Sequence, residues 1–240
     1  MIQIFSKEFN GFLHSLIAYL VIGVFLTGMG LLIWVFPETS VLDYGYANLD
    51  TLFSMAPYVF IFLIPAITMK SFAEEKKLGT LELLLTKPLT DWDIVLGKFL
   101  AAFALVLVAL LPTLIYYFSV SRLSNPVGNI DTAAVIGSYI GLTLLAAVFC
   151  AIGIFTSTFS NNQIVSFILA AFFCFLLYTG LDSVSSFAGS NVLLIKQFGI
   201  LYHYEALSKG LIDSRDVIYS LSLTGLLLLA TKIVVGSRLW

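Results

Sequence analysis

Two groups of residues in this sequence could do chemistry: a histidine close to a carboxylate, and a dense run of charges. His203 and Glu205 stand two positions apart in "YHYEAL" and form the candidate pair of metal ligands. A zinc site takes at least three protein ligands, and His14 is the only other histidine. We therefore interpret the pair as polar residues of an interfacial helix.

The run of charges lies in "FAEEKKLGTLELLLTKPLTDWDIVLGKF", from Phe72 to Phe99. Its charged residues are Glu74, Glu75, Lys76, Lys77, Glu82, Lys87, Asp91, Asp93 and Lys98. The sequence contains no G-x-x-x-x-G-K-[ST], G-x-S-x-G, H-E-x-x-H or C-x-x-C motif, the patterns of phosphate-binding loops, serine hydrolases, zinc proteases and thiol redox sites. We expect no enzyme and no cofactor bound by this chain itself, so the charges need another explanation.

The composition is typical of a polytopic membrane protein. Hydrophobic residues make up 60% of the 240 residues and charged residues 11%, whereas soluble domains carry about 25% charged residues. Mean hydropathy is +1.02. The net charge of -2 does not suggest a nucleic-acid partner, and Cys150 and Cys174 lie in apolar runs, where we expect free, buried thiols.

Six apolar runs are each long enough to cross a bilayer, which takes roughly 20 residues. They are continuous rather than alternating, which favours helices over a β-barrel. We predict an all-α fold with a single transmembrane domain over residues 1–240 and kinks at Pro57, Pro65 and Pro112. The predicted spans cover residues 12–36, 51–69, 97–120, 132–156, 163–182 and 216–235.

The positions of lysine and arginine predict the orientation, because these residues are enriched in cytoplasmic loops. Segment 70–98 carries five lysines, and the first loop on the other side, "PETSVLDYGYANLD", has no lysine or arginine. We therefore expect segment 70–98 and both termini in the cytoplasm. No signal-cleavage pattern follows the first residues, so we expect the N-terminus to be retained.

Residues 1–13 allow two interpretations. One helical face would be apolar and the other polar, as in a helix that lies flat in the membrane interface. The apolar residues are Ile2, Phe5, Phe9, Phe12 and Leu13, and the polar ones are Gln3, Lys7 and Asn10. The alternative is a ragged start of the first span, and the sequence leaves the two open.

The central parts of the predicted spans hold no aspartate, glutamate, lysine, arginine or histidine. Asp131, Asp182 and Lys98 lie at span ends, where we expect snorkelling or contact with lipid headgroups. Because intramembrane charges mark proton and ion pathways, their absence argues against an ion-coupled carrier.

Helix-starting and helix-ending residues divide segment 70–98. We expect the second span to continue as a helix through Met69–Leu78 and to end at Gly79. A short helix should follow, from the N-cap Thr80 to Lys87, and Pro88 should end it. Thr90 with Asp93 resembles a capping box for the next helix. Leu81, Leu83, Leu84 and Leu85 leave the short helix hardly any polar face, so it should pack either on the protein's own helix ends or on a partner.

Segment 183–214 is too apolar for a solvated loop. It contains "NVLLIKQFGILYHYEALSKGLID", which Gly199 and Gly210 interrupt. We predict short helices that re-enter the outer leaflet, where irregular backbone is tolerated only against protein or water.

The run "EEKKLGTLELLLTKPLTDWDIVLGK" resembles the cytoplasmic loop between the second and third spans of ABC-2 type transporter permeases. Their pattern is an acidic residue, G-T-L-E, leucines, a proline and an apolar stretch ending in Gly-Lys. A second run, "HYEALSKGLIDSRDVIYSLSL", resembles the outer re-entrant region and sixth span of the same family, and both runs look most similar to its gliding-motility-associated branch. The residues that match the loop pattern are Glu74 or Glu75, Gly79, Thr80, Leu81, Glu82, Leu84, Leu85, Pro88, Gly97 and Lys98.

This resemblance implies a permease subunit without catalytic residues, in a bacterial cytoplasmic membrane. Two permease subunits, identical or different, would pair with two ATPase subunits that bind ATP and Mg²⁺, and the spans would contact membrane lipids. The matched loop residues would form the ATPase-coupling site, with Thr80–Lys87 as the coupling helix.

Two functions are compatible with these features. The first is ATP-driven movement of a substrate across the membrane, and the second is a scaffold that assembles a motility or envelope complex without transport. Ser166, Tyr178 and Thr179 of the fifth span are weak candidates for lining a pathway, and packing is the favoured interpretation of all three. The sequence does not identify a substrate.

Overall fold

The computed structural model describes residues 1–43, 46–85, 89–185 and 192–237. Within these ranges the chain is helical and contains no β-strand, which confirms the predicted all-α fold. The helices are α1 Ile2–Leu13, α2 Leu16–Trp34, α3 Asp50–Thr68, α4 Ala73–Leu78, α5 Thr80–Leu85, α6 Asp91–Leu110, α7 Leu114–Leu123, α8 Thr132–Ser157, α9 Gln163–Phe175, α10 Leu181–Ser185, α11 Val192–Phe198, α12 Ile200–Leu207 and α13 Ser214–Gly236.

Six stretches of the described chain are long and apolar enough to cross a membrane, and they coincide with the six predicted runs. They are Leu16–Trp34, Asp50–Leu78, Asp91–Leu123, Thr132–Ser157, Gln163–Ser185 and Ser214–Gly236. Three of these stretches lie between the α4–α5 turn and the α11–α12 segment, and an odd number of crossings places the two segments on opposite sides of the membrane. We call these the loop side and the far side.

The second, third and fourth spans form the centre of the bundle. In the most apolar stretch of each of these spans, between 61% and 72% of the residues are buried inside the protein, against 22% to 28% in the other three spans. Large side chains such as Phe60 of α3 and Phe149 of α8 are fully buried there. The first, fifth and sixth spans therefore leave most of their apolar surface for contact with lipid or another chain.

The prolines have different effects. Pro57 and Pro65 lie within α3, which runs through both. Pro112 lies in a 3₁₀ turn, Leu111–Thr113, that divides the third span into α6 and α7, as expected for a residue that removes a backbone N–H from the helix.

The N-terminal segment is a separate helix and not the start of the first span. α1 ends at Leu13, and the Ser15 hydroxyl accepts a hydrogen bond from the backbone N–H of Ile17 to begin α2. α1 packs across α6, where a Cβ on Gly97 would come within 2.8 Å of the Ile4 side chain. The buried face of α1 contains Ile4, which the predicted apolar face did not include.

The predicted continuous helix through Met69–Leu78 is wrong, because residues 69–72 form a turn between α3 and α4. The Ser71 carbonyl is directed at Lys98, whose Nζ donates to it at 2.7 Å. A carbonyl engaged by a side chain from another helix need not accept the backbone hydrogen bond that would continue its own helix. The turn thus places a backbone carbonyl of the α3–α4 junction on the ammonium of α6.

The far-side helices α11 and α12 meet at Gly199, as the sequence predicted. α12 is buried against three spans, and its Tyr204 hydroxyl donates to the Phe53 carbonyl of α3 at 2.6 Å. Gly137 and Gly141 of α8 admit the end of α12, since a Cβ on either would collide with Gly210 or Leu207. A G-x-x-x-G spacing thus lets the end of α12 approach α8 closely.

Candidate coupling site

The turn between α4 and α5 projects from the loop side. α4 ends at Gly79, whose φ of 66° lies in the left-handed region, where a side chain is costly and glycine is not. This confirms the predicted C-terminal glycine. The predicted N-cap role of Thr80 is wrong, because Thr80 is the first residue of α5 and its hydroxyl donates back to the Glu75 carbonyl of α4 at 3.4 Å.

Lys98 of α6 lies next to α4 and is only 1% exposed. Its Nζ is 3.0 Å from Glu8 Oε1 of α1 and 3.0 Å from Glu75 Oε1 of α4, and it donates to the Ser71 carbonyl. Lys7 adds a second cation, 3.4 Å from Glu75 Oε1 and 3.6 Å from Glu8 Oε1. We call Lys7, Glu8, Glu75 and Lys98 the ion cluster.

The expected snorkelling of Lys98 to lipid headgroups is wrong. A buried ammonium costs several kcal/mol unless it is paired and hydrogen-bonded, and here two carboxylates and a carbonyl compensate it. The Phe72 ring, with its centroid 5.2 Å from Nζ, adds a cation–π contact. Glu75 Oε2 is buried without a hydrogen-bond partner, so this carboxylate depends on the neighbouring cations for its stabilisation.

The predicted coupling residues form two layers. The inner layer packs against the rest of the protein, and the outer layer is exposed. Glu75, Leu81 and Lys98 form the inner layer, and Gly79, Thr80 and Glu82 form the outer layer.

Leu81 is 2% exposed, so at this position the short helix packs on its own protein. Glu74 lines a cavity of about 360 Å³ beside the ion cluster. The backbone of Leu84 and Leu85 belongs to α5, but their side chains, and the whole of Lys87 and Pro88, lie outside the described residues. The predicted end of the short helix at Pro88 thus stays a prediction.

Two exposed residues before Gly79 extend the outer layer. Leu78 is 66% exposed, and Lys77 beside it is exposed as well. We call Lys77, Leu78, Thr80 and Glu82 the docking surface. It combines an apolar side chain with one charge of each sign.

The far end of the loop is fixed by a capping box. The Thr90 hydroxyl accepts from the Asp93 N–H at 3.2 Å, and the Asp93 carboxylate accepts from the Thr90 N–H at 3.2 Å, which confirms the prediction. A cation–π contact close to this capping box links α6 to α13, the sixth span. Lys232 Nζ of α13 lies 5.4 Å from the centroid of the Trp92 ring of α6.

On the far side, His203 and Glu205 do not form a joint site. His203 Nδ1 is 2.7 Å from Asp216 Oδ1 and Nε2 is 2.9 Å from the Gln197 carbonyl, whereas Glu205 is exposed. Both ring nitrogens of His203 are thus occupied by protein acceptors. The interpretation of this residue as merely an interfacial polar side chain missed its bond to α13.

Sequence reasoning also missed Glu8, the only acid of α1. It stands 90 positions from Lys98, so no local pattern joins them. The only acid of α1 and the only lysine of α6 were the available signals.

The arrangement offers a mechanical link rather than covalent chemistry. Because Lys98 touches α1 and α4 from α6, moving one of these helices alone would separate buried charges from their partners. Lys76 of α4 also donates to the Thr158 carbonyl after α8. A displacement of the α4–α5 turn is therefore resisted by the third and fourth spans as well as by α1.

Comparisons with known proteins agree with this architecture. No curated protein matches the chain. A family model for the ABC-2 family transporter proteins matches residues 2–235, which include the six spans, the ion cluster and the far-side helices. The chain therefore belongs to the ABC-2 family of transporter proteins.

Proposed function

We propose that this chain is the permease subunit of an ATP-driven transporter and that its docking surface binds a separate ABC ATPase subunit. Family membership supports the role of a membrane subunit. The observation that carries the docking role is an exposed turn, with Leu78 66% exposed, built directly on the ion cluster around the buried Lys98.

The docking surface suits a protein partner. An apolar side chain between opposite charges is the usual composition of a small interface, with an apolar centre and a polar rim. Gly79 at its apex has no heavy atom within 4 Å of the position that a Cβ would take, which leaves room for close approach. The loop and both termini would then face the cytoplasm of a bacterial inner membrane, with ATP and Mg²⁺ held by the partner.

The ion cluster would carry the partner's movement into the membrane. Pressure on the docking surface acts on α4, and Lys98 joins α4 to α6 and α1. Small rigid shifts of packed helices are a common way to transmit a nucleotide-dependent change. Two permease subunits, identical or different, would complete the transporter.

Co-purification tests the docking role. The chain is co-expressed with an ABC ATPase encoded in the same operon, and the ATPase recovered on the tagged permease is quantified. Glu82→Arg and Leu78→Asp each change an exposed docking residue, so insertion into the membrane should persist while ATPase recovery falls at least about tenfold, which corresponds to about 1.4 kcal/mol of lost affinity.

The matched control is Glu205→Arg, a charge reversal at an exposed residue on the far side. It should leave ATPase recovery at the wild-type level. Wild-type recovery with both docking variants would refute the docking role.

The resemblance of two sequence runs to gliding-motility permeases extends the proposal to a role in gliding. Deletion of the gene should then abolish surface spreading, and the Glu82→Arg variant should fail to restore it. Reconstituted complex in vesicles separates transport from scaffolding, because a transporter's ATPase rate responds to its substrate. An ATPase rate that no candidate lipid or polysaccharide changes would favour the scaffold.

A further inference from the structure

The environment of His203 on α12 contains one more acceptor than a neutral imidazole can satisfy. Nδ1 faces the Asp216 carboxylate at 2.7 Å and Nε2 faces the Gln197 carbonyl at 2.9 Å. A carbonyl and a carboxylate only accept, whereas a neutral imidazole has one N–H. Both contacts are satisfied together only when the histidine and Asp216 share an additional proton.

The surroundings stabilise a positive ring. The imidazole stacks on Tyr219 of α13 with 3.9 Å between ring centroids, and the Tyr202 ring meets it edge-on at 5.3 Å. A cation over an aromatic face is attracted by the ring quadrupole. The side chains of His203 and Asp216 are 14% and 11% exposed, which shields the pair from water.

Other charged groups surround the pair at its solvent side. Glu205 of α12, Lys209 after it, and Asp213 and Arg215 at the start of α13 line a cavity of about 920 Å³ together with His203 and Asp216. These four are exposed, so water screens them, and two acids offset two bases. On α11 the Lys196 ammonium pairs with Asp182 at 2.9 Å, and this hydrogen bond raises the pKa of Lys196.

The ring also holds the end of α11. Gln197 and Phe198 are the last residues of that helix, whose final carbonyls have no partner within it. His203 engages the Gln197 carbonyl, and the Tyr219 hydroxyl donates to the Phe198 carbonyl at 2.7 Å. One donor from α12 and one from α13 therefore fasten α11.

We propose that His203 and Asp216 form a proton-binding site that fastens α11 to α12 and α13 when the proton is bound. When this proton is lost, the neutral ring keeps one N–H, and the lone pair of its other nitrogen faces either the Asp216 carboxylate or the Gln197 carbonyl. Losing the contact to the neutral carbonyl costs less than leaving a mostly buried carboxylate unpaired, so α11 is released from α12, while its Tyr219 contact to α13 remains and α12 stays bound to α13. His203 and Asp216 both line the cavity of about 920 Å³, which gives protons access to the pair. The proposal does not depend on the ATPase.

The chain has only two histidines, His14 and His203, so ¹⁵N-histidine NMR of the full chain in lipid nanodiscs observes the site directly. The variant His14→Gln assigns the signals. We expect His203 to keep both ring protons to a higher pH in the wild type than in Asp216→Asn, because the neutral amide cannot stabilise the imidazolium as a carboxylate does. A ring that titrates at the same pH in both proteins would overturn the proposal.

Hydrogen exchange of wild-type protein tests the release of α11 without any variant. After correction for the intrinsic pH dependence, backbone amides of Val192–Phe198 should exchange several-fold faster above the His203 titration than below it, while those of α8 stay unchanged. In His203→Gln this pH dependence should disappear. Equal protection of α11 on both sides of the titration in the wild type would refute the release.

Discussion

On each side of the membrane a pair of short helices is followed or joined by a glycine with a left-handed backbone, Gly79 on the loop side and Gly210 on the far side. The surroundings of these two glycines differ. Gly79 on the loop side has a φ of 66° and open space around it. Gly210 on the far side has a φ of 78°, and a Cβ there would lie 2.3 Å from the Ala134 Cα. The same backbone conformation thus makes an exposed turn in one place and a close helix contact in the other.

The side chains beneath these turns differ in a corresponding way. Lys98 binds two carboxylates and a carbonyl on the loop side, and His203 binds one carboxylate and one carbonyl on the far side. Free lysine loses its proton near pH 10.4 and free histidine near about pH 6.5. The comparison teaches that one ammonium joins three helices on the loop side, whereas the far-side link has one acceptor more than a neutral ring can satisfy and, in our proposal, depends on a shared proton.

Removal of Lys98 should have the largest effect. Lys98→Ala leaves Glu8 and Glu75 facing each other without the central cation, and breaking such a buried pair costs about 3–5 kcal/mol. Chemical unfolding in mixed micelles, followed by circular dichroism, measures the loss. Lys232→Ala, which removes only a cation–π contact, should cost below about 1 kcal/mol, and equal losses in the two variants would contradict a special role for the cluster.

Neutralising the whole cluster sharpens this prediction. In Lys98→Met with Glu8→Gln and Glu75→Gln the only charge left without its partners is that of Lys7, which is 63% exposed and so hydrated, and much of the stability should return. We expect ATPase recovery to return with it only if the cluster's role is to hold helices together and not to supply charge.

Gly210→Ala should have an intermediate effect. The left-handed φ costs an alanine roughly 1–2 kcal/mol, and forcing its Cβ against α8 adds about 1–3 kcal/mol of overpacking. Gly128→Ala is the matched control, because Gly128 also has a positive φ of 86° but no neighbour within 4 Å of the Cβ position. Equal destabilisation of the two variants in the same unfolding assay would show that the contact with Ala134 is not tight.

Gly79→Ala should have the smallest effect. Only the backbone strain of about 1–2 kcal/mol applies, since nothing lies within 4 Å of the added Cβ. The thermal midpoint of the purified chain should fall slightly and ATPase recovery should persist. A loss as large as that of Gly210→Ala would mean that the two turns are equally constrained.

Features that depend on neighbouring residues could be predicted. The capping box of Thr90 and Asp93 and the helix end at Gly79 follow from local hydrogen bonds and backbone conformation, and both were confirmed. The continuity of the helix after Met69 was predicted from the same local rules, but residues 69–72 form a turn, and there the ammonium of Lys98 binds the Ser71 carbonyl from another helix.

By itself the sequence determined that this protein is helical and crosses the membrane six times, because about 20 apolar residues in lipid must satisfy their backbone hydrogen bonds within one segment. It also determined the family, through the G-T-L-E loop. Only the tertiary structure decided that Lys98 meets Glu8 and that His203 meets Asp216. A buried charge is stabilised by whichever partners the fold brings near it, and those partners stand on helices that the sequence does not place side by side.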